Sequence, residues 1–298
     1  MTSSVYSYDD PDHSGGQEFG VHTHLNPIDP LPPAAVPNRT NVFEAGRQFP
    51  VPTIDFNSLL ADLNFMKSES QIVGQGRYFD NTNCSGANYG RHIVLKNNDT
   101  MTVTTVRSYN TSSNSITSEG CSQDYPIPNG GIIFVENNVW LEGTVDGQRI
   151  TVVAANLLGG DMANMYLGMN NLEYTHQDGQ DIIGVFAQRN VEIIRESQNF
   201  LTIDGALLAQ NGRVGREHYG TYCVRWWWWG GCREYRTDRK DTITVNGSIA
   251  TNLRYGFAWT DGTGYTNRIL NFDNNLLYYP PPYFPTGTEY SIDLWDEL

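Results

Sequence analysis

The sequence predicts a mainly β fold, a parallel β-solenoid of about 21 residues per coil, from a repeated pattern, its spacing and its alternation. The pattern reads Val139-Trp-Leu-Glu-Gly-Thr-Val145, then Leu201-Thr-Ile-Asp-Gly-Ala-Leu207, then Ile243-Thr-Val-Asn-Gly-Ser-Ile249. Its glycines are Gly143, Gly205 and Gly247, and a weaker copy places Gly184 between the first two. The successive intervals are close to whole multiples of that coil length. Each copy alternates apolar and polar positions into a glycine, which describes a strand followed by a bend. A unit this short buries its apolar face only against its neighbours, as stacked coils do. Val139, Leu141, Leu201, Ile203, Ile243 and Val245 are then expected to point inward.

Residues 1–50 are rich in Asp, Gly and Pro, with Pro27, Pro30, Pro32, Pro33 and Pro37 forbidding regular structure, and read as an extended segment. His22-Thr-His24 places two imidazoles on one side of an extended chain, but no third ligand accompanies them, and no metal or cofactor is expected. Residues 51–130 read as a small α+β subdomain. Phe56, Leu59, Leu60, Leu63 and Met66 recur at helical spacing between Ile54 and Ser70, and the stripe is expected to join the core. Arg91–Leu95 and Met101–Val106, joined by a polar turn, predict a hairpin. The solenoid follows over 131–275, interrupted by a Trp-rich loop at 213–241, and the interval from Gly205 to Gly247 reads as two coils. Residues 276–298 form a Pro-rich tail, which Pro280-Pro-Pro282 should hold extended over the body with its aromatics down.

Nineteen basic and 33 acidic residues give a net charge of −14, so nucleic-acid or anionic-membrane binding would need a local basic patch. Arg233, Arg236, Arg239 and Lys240, interrupted by Glu234 and Asp238, read as a solvated loop, and no nucleic acid is expected as a partner. Low charge with 29 glycines and 17 tyrosines fits an extracellular β protein. Four cysteines without metal-ligand spacing read as disulfides, with Cys84–Cys121 and Cys223–Cys232 the favoured pairing. No apolar run is long enough to cross a bilayer, and a chain of secreted character without a leader reads as part of a longer protein, whose upstream segment would supply any membrane anchor.

Solenoid enzymes that cleave polysaccharides gather carboxylates on one sheet face, and Glu142, Glu173, Glu192 and Asp204 hold strand positions here. Glu142, Asp204 and Asn246 align in the repeat as a polar column, which needs no catalytic explanation. Asn271-Phe-Asp-Asn-Asn275 lacks an ordered calcium-loop signature. The candidate binding residues are Trp226, Trp227, Trp228 and Trp229. Four consecutive indoles cannot all enter one core from a strand, and the Cys223–Cys232 pair and Gly230-Gly231 flank them.

Tyr89-Gly-Arg-His-Ile-Val-Leu95, Gly131-Ile-Ile-Phe-Val135 with Trp140-Leu-Glu-Gly143, Ile203–Gln210, Asn246–Ile249, and Pro280-Pro-Pro-Tyr-Phe-Pro285 with Trp295 and Glu297 together resemble the C-terminal ectodomain of bacterial type IV pilus-associated, PilX-like or minor-pilin-like surface proteins. The resemblance runs from about Phe49 to the end and implies a β-solenoid displayed outside the cell, without a catalytic motif. Its partners would be other pilus subunits, a surface glycan, or a host or neighbour-cell protein. The expected function is a non-enzymatic surface module acting in adhesion or pilus presentation. A carbohydrate-active solenoid enzyme and a passive spacer are the alternatives.

Overall fold

A computed structural model describes residues 59–82 and 86–285, with the backbone of 21–22 and 47–48. The chain divides into two compact units, Met1–Phe56 and Asn57–Leu298. In the first, Val21–His22 and Arg47–Gln48 pair in parallel. The His22 side chain, His24 and the remainder of the Pro-rich segment lie outside the described residues.

The second unit is the predicted parallel β-solenoid, built from three ladders of strands. The first ladder stacks Gly76–Phe79, Ile132–Val135, Arg149–Ala154, Ile182–Ala187 and the C-terminal halves of Phe200–Ala209 and Arg239–Thr251. The second stacks Gly90–Lys96, the start of Asn138–Val145, Met165–Leu167, Val191–Ile193 and Val214–Arg216. The third stacks the end of Asn138–Val145, Leu172–Tyr174, the N-terminal halves of Phe200–Ala209 and Arg239–Thr251, and Gly264–Phe272. Pairing is continuous across residue 131, so the segment before it supplies the first turn of the stack.

Period-two alternation decides what each face meets. Inward residues of all three ladders, among them Val139, Leu141, Leu201, Ile203, Ile243 and Val245, form one buried core. The outward side of the first ladder is apolar as well. Ile132, Phe134, Val153, Phe186 and Leu208 pack against Leu63 and Met66 of helix Leu59–Ser70 and against Tyr283 and Phe284 of the tail. The helix therefore lies along the side of the stack, where Lys67 forms an ion pair with buried Glu136. The predicted hairpin is present as Gly90–Lys96 and Thr100–Asn110, and Ser115–Pro126 extends it to a three-stranded antiparallel meander. Val106, Tyr109 and Ile116 of that meander cover Trp140 and Tyr166 on the outside of the second ladder.

Three expectations are corrected by the register. The coil does not keep the glycine spacing, because Val139, Met165, Val191 and Val214, successive neighbours on one ladder, stand 26, 26 and 23 residues apart while Ile132 and Thr151 on another stand 19 apart. Gly205 pairs directly with Gly247, so the chain between them makes one turn carrying an insertion, not two coils. Gly143 lies level with Leu172 and thence with Ile203, not with Gly205, so the first copy of the pattern is out of step with the other two.

The tail departs from a wholly extended path. Asn275–Tyr278 forms a short helical turn, with Leu277, Tyr278 and Tyr279 exposed. Only then does the proline run settle on the first ladder, where Arg149 Nη2 donates to the Pro280 carbonyl at 2.7 Å and Thr151 Oγ1 to that of Pro282. Gly184 is explained by this contact rather than by a bend, because a Cβ there would lie 2.7 Å from Pro281 Cβ and 2.8 Å from Phe284 Cδ2. Trp295 and Glu297 lie outside the described residues.

Gly205 and Gly247 do make the bend, at φ +150° and +153°. A Cβ on Gly247 would sit 1.9 Å from the Gly205 carbonyl oxygen. We expect Gly247→Ala to destabilise the protein by about 2–4 kcal/mol through backbone strain and loss of this close approach. Gly230→Ala, at φ +92° with open space around it, should cost about 1 kcal/mol. Urea denaturation of the two variants measures the difference, and equal midpoints would show that the approach of the two backbones is not what demands glycine.

Candidate functional site

The Trp-rich loop is an antiparallel hairpin of Thr221–Trp226 and Cys232–Thr237, inserted between the second-ladder strand Val214–Arg216 and the third-ladder start of Arg239–Thr251. Trp226 faces Cys232 across the ladder, and Cys223 and Cys232 are disulfide-bonded with their Cα atoms 5.7 Å apart. The turn closes through Trp227 N–H to the Gly231 carbonyl at 3.0 Å and Gly230 N–H to the Trp227 carbonyl at 3.1 Å. Gly230 and Gly231 take φ values of +92° and +83°, which an L side chain rarely adopts. Cys121 is also disulfide-bonded, and no described cysteine is free, but Cys84 lies outside the described residues.

The neck of the hairpin is clamped to the core. Asp238 N–H donates to the Gly220 carbonyl at 2.8 Å, joining the two strands where they leave the body. The Asp238 carboxylate pairs with Arg216, and both side chains are buried. Arg216 further donates to Ser197 Oγ at 2.9 Å and to the Arg195 carbonyl at 2.8 Å, and its guanidinium lies 4.9 Å from the Tyr219 ring centroid. A buried pair with this many donors placed is costly to break from one side.

Beyond the neck almost nothing is covered. Trp226, Trp227, Trp228 and Trp229 are 67, 39, 89 and 63% exposed, so all four predicted binding residues meet solvent on a protruding element. Three of them pack on one another. Trp227 and Trp229 stack at 4.7 Å with planes 10° apart, and Trp228 stands edge-on to Trp229. The Arg233 guanidinium lies 4.8 Å from the Trp227 ring centroid, so Trp227 is engaged by both a ring and a cation within the tip. Among the described residues Trp226 has no such ring partner, and Trp228 lies outside the stacked pair.

The basic cluster resolves differently from its linear reading. Arg239 donates Nε to the Gly262 carbonyl, and half-buried Lys240 donates Nζ to that of Ser197, so both turn to the body. Arg233 and Arg236 remain on the hairpin beside Arg225, and among the described residues Glu234 meets Arg236 at 3.8 Å and Arg225 at 4.0 Å through exposed contacts. Such contacts are screened by solvent and leave the hairpin locally positive on an acidic protein.

The strand carboxylates do not share one environment. Glu142 accepts from Asn170 and from His92, whose other ring nitrogen faces Glu119 at 2.7 Å. Burial pulls the His92 imidazole down, but its bonds to Glu142 and Glu119 outweigh this and raise its pKa above the ordinary value. Asp204 accepts from Tyr174 N–H and Asn246, and Asn246 in turn accepts from Asn271, so the polar column is Asp204, Asn246 and Asn271, with Glu142 off it. Glu173 accepts from Asn171. Glu192 is buried beside Arg213 at 3.4 Å; burial, the largest influence, pushes its carboxyl up to about 8, against the pull of Arg213. The partners of His92 and Arg216 leave no local signal in the sequence, because strands distant along the chain supply them.

The chain matches no protein-family model, no curated protein and no solved structure.

Asp238→Ala leaves Arg216 buried without its counter-charge and should cost about 3–5 kcal/mol in chemical denaturation. An Arg216→Met/Asp238→Leu double variant should recover most of that loss if the cost is the stranded charge. Because folded Glu192 holds its proton up to about pH 8 while the unfolded carboxyl ionises near its ordinary value of 4.5, its charge penalises folding as pH rises through that window. Glu192→Gln should match the wild type below about pH 4.5 and gain stability on it up to about pH 8, read from melting curves across pH.

Proposed function

We propose that this chain is a non-enzymatic surface module in which the solenoid serves as a rigid support and the tryptophan hairpin as its contact point. The observation that carries this reading is the exposure of four consecutive tryptophans on a hairpin closed by a disulfide. A monomer gains nothing in stability from indoles held in water, whereas Trp and Arg supply much of the energy of recognition interfaces. Rotamer-poor side chains on a closed turn lose little entropy on binding. The tip is suited to a partner that offers sugar-ring or apolar faces together with negative charge, met by Arg225, Arg233 and Arg236. An acidic surface glycan or a protein on a neighbouring cell has that chemistry. The Cys223–Cys232 disulfide and the absence, among the described residues, of a helix long and apolar enough to cross a membrane accord with an extracellular setting. The pilus-associated ectodomain of the resemblance is the setting we favour, with adhesion as its role.

Paired substitutions separate contact from packing. Trp226→Ser/Trp228→Ser removes the indoles without stacked ring faces, and should abolish binding to glycan arrays or intact cells while leaving the melting temperature unchanged. Trp227→Ser/Trp229→Ser should also erase the exciton signal of the stacked pair in circular dichroism. If both pairs lower the melting temperature and the wild type binds neither arrays nor cells, the hairpin is a packing element and the proposal fails. Release of product from a polysaccharide would replace it with an enzymatic reading.

A further inference from the structure

A second feature, independent of the hairpin, lies at the corner where the third ladder turns into the first. Val145 and Tyr174 are neighbours in the ladder, and Thr175 N–H donates to the Val145 carbonyl at 2.9 Å. The residues that follow in each turn, Asp146 and His176, are thereby brought side by side, with His176 Nδ1 3.5 Å from Asp146 Oδ1. Asp181 closes the group just before strand Ile182–Ala187. One oxygen or nitrogen from each of the three side chains lies within 4.8 Å of the others.

Asp181 differs from the surface carboxylates. It is 1% exposed, and no lysine or arginine among the described residues pairs with it. Its two oxygens instead accept from the N–H groups of Gly147 and His176, which flank or belong to the other two ligands. The carboxyl group is thus fixed in orientation, with a lone pair left on each oxygen.

We propose that Asp146, His176 and Asp181 form a binding site for a divalent transition cation that fastens two consecutive coils. One imidazole nitrogen with two carboxylates favours Zn²⁺ or Mn²⁺ over Ca²⁺ and Mg²⁺, which take oxygen ligands alone. Two ligands each about 2.1 Å from one ion lie at most about 4.2 Å apart and about 3.4 Å apart in a tetrahedron, so the group must contract by roughly 0.6 Å or more. Asp146 and His176, about half and two-thirds exposed, can rotate to do this while Asp181 stays pinned. The imidazole and the two carboxylates would leave open positions for water.

The test uses the full chain after chelation and dialysis, titrated calorimetrically with ZnCl₂, MnCl₂ and CaCl₂ and melted with and without each. We expect one Zn²⁺ or Mn²⁺ bound per chain at this site and a metal-dependent rise in melting temperature, with Ca²⁺ at least ten-fold weaker. His176→Ala and Asp146→Asn should each weaken binding ten-fold or more while melting like the wild type without metal. A His22→Ala/His24→Ala variant should keep the binding, separating this site from the amino-terminal histidines. No heat and no melting shift with any of the three ions, or wild-type affinity in His176→Ala, would overturn the assignment.

Discussion

An unbroken run of parallel pairs joins Phe200–Ala209 to Thr242–Thr251, from Phe200 beside Thr242 to Ala209 beside Thr251. Much of the carboxyl-terminal half depends on this register. It brings the Gly205 carbonyl so close to Gly247 that no side chain fits, and lets two strands turn the same corner together. A one-residue slip would carry Leu201, Ile203, Ile243 and Val245 out of the core and set Thr202 and Thr244 in it, so the alternation and the bend enforce each other. Everything else in that turn must leave the stack. Hence Thr221–Thr237 projects as a hairpin, and its two ends return to adjacent points fixed by Gly220, Asp238 and Arg216.

What could be read from the chain was the part that depends on neighbouring residues. Alternation into glycine marks an inward-facing strand wherever it occurs, so the core positions were legible, as were the hairpin at 91–106 and the helix from Leu59. The coil length was not. It depends on which residues stand side by side in space, and corner loops of unequal size make equal glycine spacing a poor measure of it. Gly184 shows why: its place in the spacing is real, yet the prolines of the tail demand the missing side chain. The tryptophan hairpin was legible as exposed because consecutive indoles exceed what one sheet face can bury. Its clamp was not, since Arg216 and Asp238 carry no local sign of their pairing. The Asp146, His176 and Asp181 group depends on the Val145–Tyr174 register in the same way.

Stacking equivalent positions also stacks their charges, and an acidic chain must prevent carboxylates from facing one another. The third ladder does so by substitution along a column: Asp204 receives the Asn246 amide, and Asn246 receives that of Asn271, so one negative charge is followed by neutral donors. Elsewhere the devices differ. Glu136 meets Lys67, Glu142 meets His92 and Asn170, and Asp238 meets Arg216. Glu192 gains a long contact with Arg213 and leaves one buried oxygen without a partner, and burial, the largest influence, holds its proton.

These constraints separate the part of the molecule that can vary from the part that cannot. Between the ends of the stack a residue has neighbours above and below, and a change is felt along the ladder. The hairpin has no such neighbours, so four tryptophans, two glycines and three exposed arginines can occupy it without disturbing the core. Its rigidity is supplied from outside the tip, by the Cys223–Cys232 bond across its middle and the buried Arg216 pair at its root. A loop held only by its own turn would average its indoles over many directions and lose binding energy to their ordering. Anchored at two levels, the tip holds Trp226 and Trp228 in solvent, and under the proposed function the solenoid serves it by supplying the lower anchor.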